Sequence, residues 1–412
     1  MNKTAGQVRR RRVIYIPGYD PIPTRRYREL YRKEGAAQAE ISGYDLAIRP
    51  REAGGTYGWS VTATIEGAEV VAEVDVLVWS DIVQSSMARS IPATYFQLLR
   101  TAWIYISTGA LKRLMRLRKG PVIAALYPVG MLIGQLVVAA LSGWLVARLA
   151  AWTFVQLGLG GMFFGGLSIG LGLFAVVALL RAFKRLDHRL FAYYLMHDYA
   201  FSARWRGAHP PVQSARIGEF AAHIASALGG DTDEVLVIGH SSGAHLAISA
   251  LAQLCREGRL PPERPPLALL TLGQVVPMVS FLPDADELRA DLNLLSASAA
   301  ITWVDVTAPG DGCAFALCDP VAVSGVAPDN QRWPLVISAA FTQTLSPARW
   351  KALRWRFFRL HFQYLCAFDR PGDYDYFRIT AGPQTLAQRF AGRPPSKSQI
   401  VTPTSGYRGM TP

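Results

Sequence analysis

The sequence predicts an α/β protein, a mostly parallel sheet with helices on both faces, interrupted by a two-helix transmembrane hairpin. Three observations carry this. Residues 235–238 (Val-Leu-Val-Ile) are an apolar run without alternation, as a strand buried on both faces requires, and they lead through Gly239-His240-Ser241-Ser242-Gly243 into a small-residue helical stretch. Strand-like and helix-like segments alternate before and after that point. The hydrophobic excess of the chain lies in one block, 121–180.

At 412 residues, the chain has room for one large domain with an insertion, or for two domains. Half the residues are hydrophobic and the net charge is +13. The cationic excess falls at 9–12, 112–119 and 181–189, the last two clusters flanking the apolar block. It reads as membrane topology and contact with anionic headgroups. No base-stacking or helix-turn-helix pattern accompanies it, which argues against nucleic acid as a partner. Cys255, Cys313, Cys318 and Cys366 are too few and scattered for a disulfide framework or a zinc site, and buried apolar roles are expected. No signal-peptide pattern opens the chain, because the first apolar run is only Val13 to Ile16.

In chain order, 1–12 read as a basic tail and 13–91 as the first part of the α/β domain. A short strand at 13–16 ends in the turn Pro17-Gly18-Tyr19-Asp20, a charged helix covers 25–40, and β-rich runs cover 59–65 and 70–79. Trp79 and Asp81 fall at the end of the second run. Residues 92–206 read as a membrane insertion. An aromatic helix that turns basic (92–117) approaches the interface, uncharged spans follow at about 121–147 and 153–180 with a break at Arg148, and an aromatic, arginine-bearing stretch returns along the headgroups. The glycines of the second span permit close helix packing. Both outer flanks are basic, so the positive-inside rule puts both ends in the cytoplasm, with the protein integral to the cell's inner membrane.

Residues 207–392 read as the second part of the α/β domain. A helix at 214–228 precedes the strand at 234–238; strands follow at 267–272, 301–307 and 334–345, with a covering helix at 286–295 and an arginine-rich segment at 348–360. Residues 393–412, rich in Pro, Ser, Gly and Thr, are expected to be a disordered tail.

The chemistry is expected at Ser241. Glycines two before and two after it allow a turn too tight for side chains, which strains the serine backbone and points the helix amides at its hydroxyl. A serine hydroxyl needs a base, and the base a carboxylate. Asp311 follows the 301–307 strand and His361 the last strand. Asp305 and Asp319 stay open as alternative acids, and His240 and His245 as alternative bases that look structural. The Gly18–Tyr19 turn offers backbone donors for an oxyanion, as does Ser242 N–H.

A strand that runs into G-x-S-x-G and a helix, with Ser, Asp and His in that order, resembles the α/β-hydrolase superfamily. The resemblance spans roughly 13–79 and 207–390. It implies Ser241 as nucleophile, His361 as base, Asp311 as acid, an oxyanion hole near Gly18, Tyr19 and Ser242, and no cofactor or metal. Together with the hairpin it implies an esterase or lipase-like enzyme acting on an acyl ester of a lipid or amphiphile. A thioesterase or peptidase on the same triad, or a non-catalytic membrane-binding protein on the same fold, are the alternatives. The hairpin enters ahead of the nucleophile, a departure from the usual place of a lid.

Overall fold

Residues 7–21, 24–51, 55–87 and 90–411 are described by the computed structural model. The chain divides into two units, one formed by 1–85, 105–122 and 205–412, the other by 86–104 and 123–204. The first is an α/β unit on one eight-stranded sheet. Its strands are β1 (Arg10–Ile16), β2 (Asp45–Pro50), β3 (Gly58–Ile65), β4 (Ala68–Val76), β5 (Glu234–His240), β6 (Leu267–Leu272), β7 (Thr302–Thr307) and β8 (Leu335–Ser338), in the spatial order β2-β3-β4-β1-β5-β6-β7-β8. From β4 to β8 every pairing is parallel; β3 alone runs against both its neighbours.

β1 is the seam. It lies between β4 and β5, with Val13 opposite Val74 on one side and Leu236 on the other, so strands from before and after the long apolar excursion share one layer. Every residue of β5 and β6 is buried. Alternate residues divide between two covered faces: Val13, Tyr15, Leu236, Ile238, Leu270 and Val304 belong to one core with Tyr27, Tyr31 and Phe377, while Ile14, Val237 and Leu269 are buried on the other side.

Helix α1 (Arg25–Ser42) packs its tyrosines on the sheet and stops at Gly43, whose φ of 68° is the left-handed turn that glycine supplies. After β4 the chain runs through α2 (Ile91–Ser107), α3 (Ala110–Leu117), α4 (Lys119–Gln156), α5 (Met162–Arg185) and α6 (Ala192–Arg204), and returns along α7 (Pro211–Leu228) to β5. Beyond β5 lie α8 (Gly243–Arg256), α9 (Asp286–Ala297), α10 (Pro347–Leu353) and α11 (Phe357–His361).

In the second unit, α4 and α5 are long and apolar enough to cross a membrane. They expose what a water-soluble helix hides: Leu141, Trp144, Trp152 and Phe174 are all more than half exposed. Gly143 and Gly172 are where these helices meet, for a Cβ on Gly172 would stand 2.6 Å from Gly143 O and 2.9 Å from Ala147 Cβ.

Five expectations change. The basic tail is strand from Arg10 onward (residues 1–6 lie outside the described residues). Its arginines face carboxylates rather than lipid: Arg10 pairs with Asp231, Arg11 with buried Glu234 at 2.7 Å, and Arg12 with Glu73 and Asp75. The first apolar helix runs on to Gln156, because one arginine does not stop a helix; Arg148 stacks on Trp144 and the turn forms at glycines 158, 160 and 161. Residues 105–122 of the expected insertion belong to the α/β unit. The last strand ends at Ser338, before Ala340 takes a φ of 46° and a short helix starts at Phe341. The tail is tied down: Ile400 N–H bonds Leu317 O, Ser396 N–H bonds Val336 O, and Arg289 donates to Gly409 O. The bonds run through the tail's own backbone N–H and C=O groups, which composition does not report.

Candidate active site

Ser241 stands at the end of β5 with φ 58°, a left-handed conformation strained for a residue with a side chain. It is held there by the Ser241 N–H bond to Leu272 O at 2.9 Å. The glycines around it are compelled. A Cβ on Gly239 would lie 2.6 Å from Ala244 Cα, and one on Gly243 would press into the carbonyls of Ile16 and Pro17. The elbow is thus clamped between β5 and the end of β1. Ser241 is partly exposed at the head of a helix turn that is otherwise buried.

The structure brings Asp311 and His361 together. His361 Nδ1 lies 2.7 Å from Asp311 Oδ2, and both side chains are buried. Against a carboxylate Nδ1 is the donor, and Nε2 is buried with no hydrogen-bond partner among the described residues. Burial pushes the Asp311 carboxyl upward, but the His361 ring, Cys313 N–H and Tyr364 hydroxyl outweigh it and hold the group below the ordinary carboxylate range. Asp311 is therefore an ionised partner for the imidazole.

Tyr364 escaped the sequence reading. Its hydroxyl donates to Asp311 Oδ2 at 3.0 Å and accepts the N–H of Ala308, fixing the carboxylate from the strand side. The signal was its place one helical turn after His361. Burial, then the Asp311 charge, push its phenol far up, so it stays a donor.

The other candidates sort by their partners. Asp305 is fully buried and accepts from Thr271 Oγ1 at 2.6 Å, and burial pushes its pKa to about 8. Asp319 caps the short helix Pro320–Val323, taking the N–H groups of Val321 and Ala322. His240 gives its Nε2 to His361 O at 3.0 Å and packs its ring 4.9 Å from that of His361; burial and then His361 lower it to about 3. It is a neutral shelf under His361. His245 faces His209 with rings 6.4 Å apart, away from Asp311, and burial lowers it to about 3 as well. Trp79 is buried, its Nε1–H on Pro17 O, and Asp81 pairs with Arg216.

The oxyanion side differs in one bond. Gly18 lies against Ser241, a Cβ there being 3.0 Å from Ser241 Cβ, but Tyr19 N–H donates to Ser242 Oγ at 2.7 Å. Of the expected donors, Tyr19 N–H is thus satisfied internally, and Ser242 is the N-cap residue of α8.

Cys313, expected to be apolar filling, lies beside Asp311 and His361: an atom each from the three residues falls within 4.8 Å of the others. The carboxylate oxygens already accept Cys313 N–H, Tyr364 O–H and the imidazole, so Asp311 is furnished as a hydrogen-bond acceptor rather than a metal ligand. No family profile, curated protein or solved structure matches this chain.

Proposed function

We propose that this chain is a membrane-anchored serine hydrolase of the α/β-hydrolase kind, cleaving an acyl ester of a lipid or amphiphile through an acyl-enzyme. The observation that carries the reading is His361, with Nδ1 on an ionised, buried Asp311 and Nε2 buried without a partner, in a site whose neighbouring strand ends in a strained serine elbow. In the reaction, Ser241 Oγ attacks the acyl carbon as Nε2 takes the hydroxyl proton. The oxyanion meets Ser242 N–H and the α8 terminus. The imidazolium, steadied by Asp311, returns the proton to the departing alcohol, and water admitted to the same base hydrolyses the acyl-serine. The apolar helices α4 and α5 favour a bilayer-resident substrate, and their basic flanks favour the cytoplasmic leaflet.

A fluorophosphonate probe should label Ser241, with labelling lost in Ser241→Ala and His361→Ala, and each variant should cut ester turnover by about 10³-fold or more. A binding protein that keeps the elbow only as architecture draws support from a bond that is missing: His361 Nε2 makes no hydrogen bond to Ser241. Absence of labelling on folded protein in lipid favours that second reading.

A further inference from the structure

We propose that the segment 349–359, immediately ahead of His361, is a docking surface for anionic phospholipid headgroups of the bilayer that α4 enters. The inference rests on reading α4 and α5 as membrane spans, and it adds a second attachment at the candidate active site.

The residues are Arg349-Trp350-Lys351-Ala352-Leu353-Arg354-Trp355-Arg356-Phe357-Phe358-Arg359. Lys351, Arg354, Arg356 and Arg359 are exposed, and none has a carboxylate partner among the described residues; Arg349, on the inner side, pairs with Glu34. Between them Trp355 is 73% exposed and Phe357 45%, their rings 6.5 Å apart, with the Arg354 guanidinium 5.6 Å over Trp355. Aromatic rings among unpaired cations suit the headgroup layer, where the ring sits at the acyl boundary and the cations meet phosphate. In a protein facing only water, the same exposure leaves apolar area in solvent and like charges unneutralised.

Position identifies the occupant. Trp350 and Phe357 flank the Asp311 loop, since a Cβ on Gly310 would meet Trp350 and one on Gly312 would stand 3.2 Å from Phe357. On the same loop, Gly120 in the first turn of α4 would bring a Cβ to 3.7 Å from Gly312 Cα. The exposed basic-aromatic segment therefore adjoins the turn from which the chain enters its apolar span, next to exposed Lys112, Arg116 and Lys119 in sequence. Charge complementarity and this continuity point to an anionic bilayer surface, with His361 two residues beyond Arg359 at the end of α11.

The test uses the full chain in lipid nanodiscs of phosphatidylcholine, alone or mixed with phosphatidylglycerol, followed by hydrogen–deuterium exchange of peptides covering 347–361. Exchange there should slow in the mixed discs, and Arg354→Gln/Arg356→Gln/Arg359→Gln should remove that protection by about tenfold or more, as should raised salt. Brominated lipid should quench less fluorescence in Trp355→Phe than in the parent. Equal exchange in the two lipids, or protection that survives the triple substitution, overturns the proposal, including the case in which a protein partner covers the segment. Fluorophosphonate labelling of Ser241, run on the same discs, reports separately on the hydrolase reading, so loss of either result leaves the other interpretable.

Discussion

The α/β unit and the helical unit bury opposite things. In the first, ionised groups go inside and are satisfied there: Arg11, 1% exposed, is bonded to Glu234, Gly382 O and Gln384 O, and Glu234 also takes Leu386 N–H. In the second, bulky apolar side chains face outward, while Gln135 of the first span is buried with neither amide atom partnered among the described residues. The same contrast appears in glycine. Gly239 and Gly243 each sit against backbone that leaves no room for a methyl group, whereas in the helices Gly143 and Gly172 do so and Gly130, Gly134, Gly165, Gly166 and Gly170 face open space. One unit buries paired charges inside a sheet core; the other exposes apolar side chains on two helices long and apolar enough to cross a membrane.

The largest way to break the contrast is at the seam. Glu234→Gln leaves Arg11 charged, buried and unpaired between strands that a long excursion separates, and should cost about 3–5 kcal/mol in chemical unfolding of the α/β unit. A loss under about 1 kcal/mol would mean that the pair does not hold β1 to β5.

Asp305 sharpens it through pH. Its pKa is raised to about 8 in the folded chain against the ordinary 3.8, so the folded state holds the proton more tightly. The stability this gives is complete below about pH 4 and is lost as pH rises toward 8. Asp305→Asn, which keeps the shape without the titration, should flatten the unfolding midpoint across that window and retain turnover; loss of turnover would return Asp305 to the list of triad acids.

The smallest effect compares two glycines. Gly172→Leu should lower thermal stability in lipid by about 1–3 kcal/mol through the clash with Gly143, and Gly166→Leu, facing open space, by less than about 0.5 kcal/mol. Equal losses would show that α4 and α5 do not pack through Gly143 and Gly172.

How much of this was legible beforehand follows from range. The elbow could be read because strand, tight turn and helix are contiguous and each leaves a local pattern; β5, α8 and the positive φ of Ser241 stand where Gly239-His240-Ser241-Ser242-Gly243 put them. β2 was missed because its exposed, charged residues alternate weakly, and it is a strand only by pairing with β3. The arginines before Val13 looked like a tail until carboxylates from two other segments, β4 and the entry to β5, were folded beside them.

By itself the sequence determined two apolar helices, the serine turn and an α/β alternation, since hydrophobic period and glycine placement act over a few residues. Only the tertiary structure chose Asp311 over Asp305 and Asp319 as the neighbour of His361, added Tyr364 behind it, turned Tyr19 N–H toward Ser242 Oγ and pinned the tail on Leu317 and Val336. Those choices depend on which distant loops close on one another, and a carboxylate in a turn carries no local mark of the imidazole it will meet.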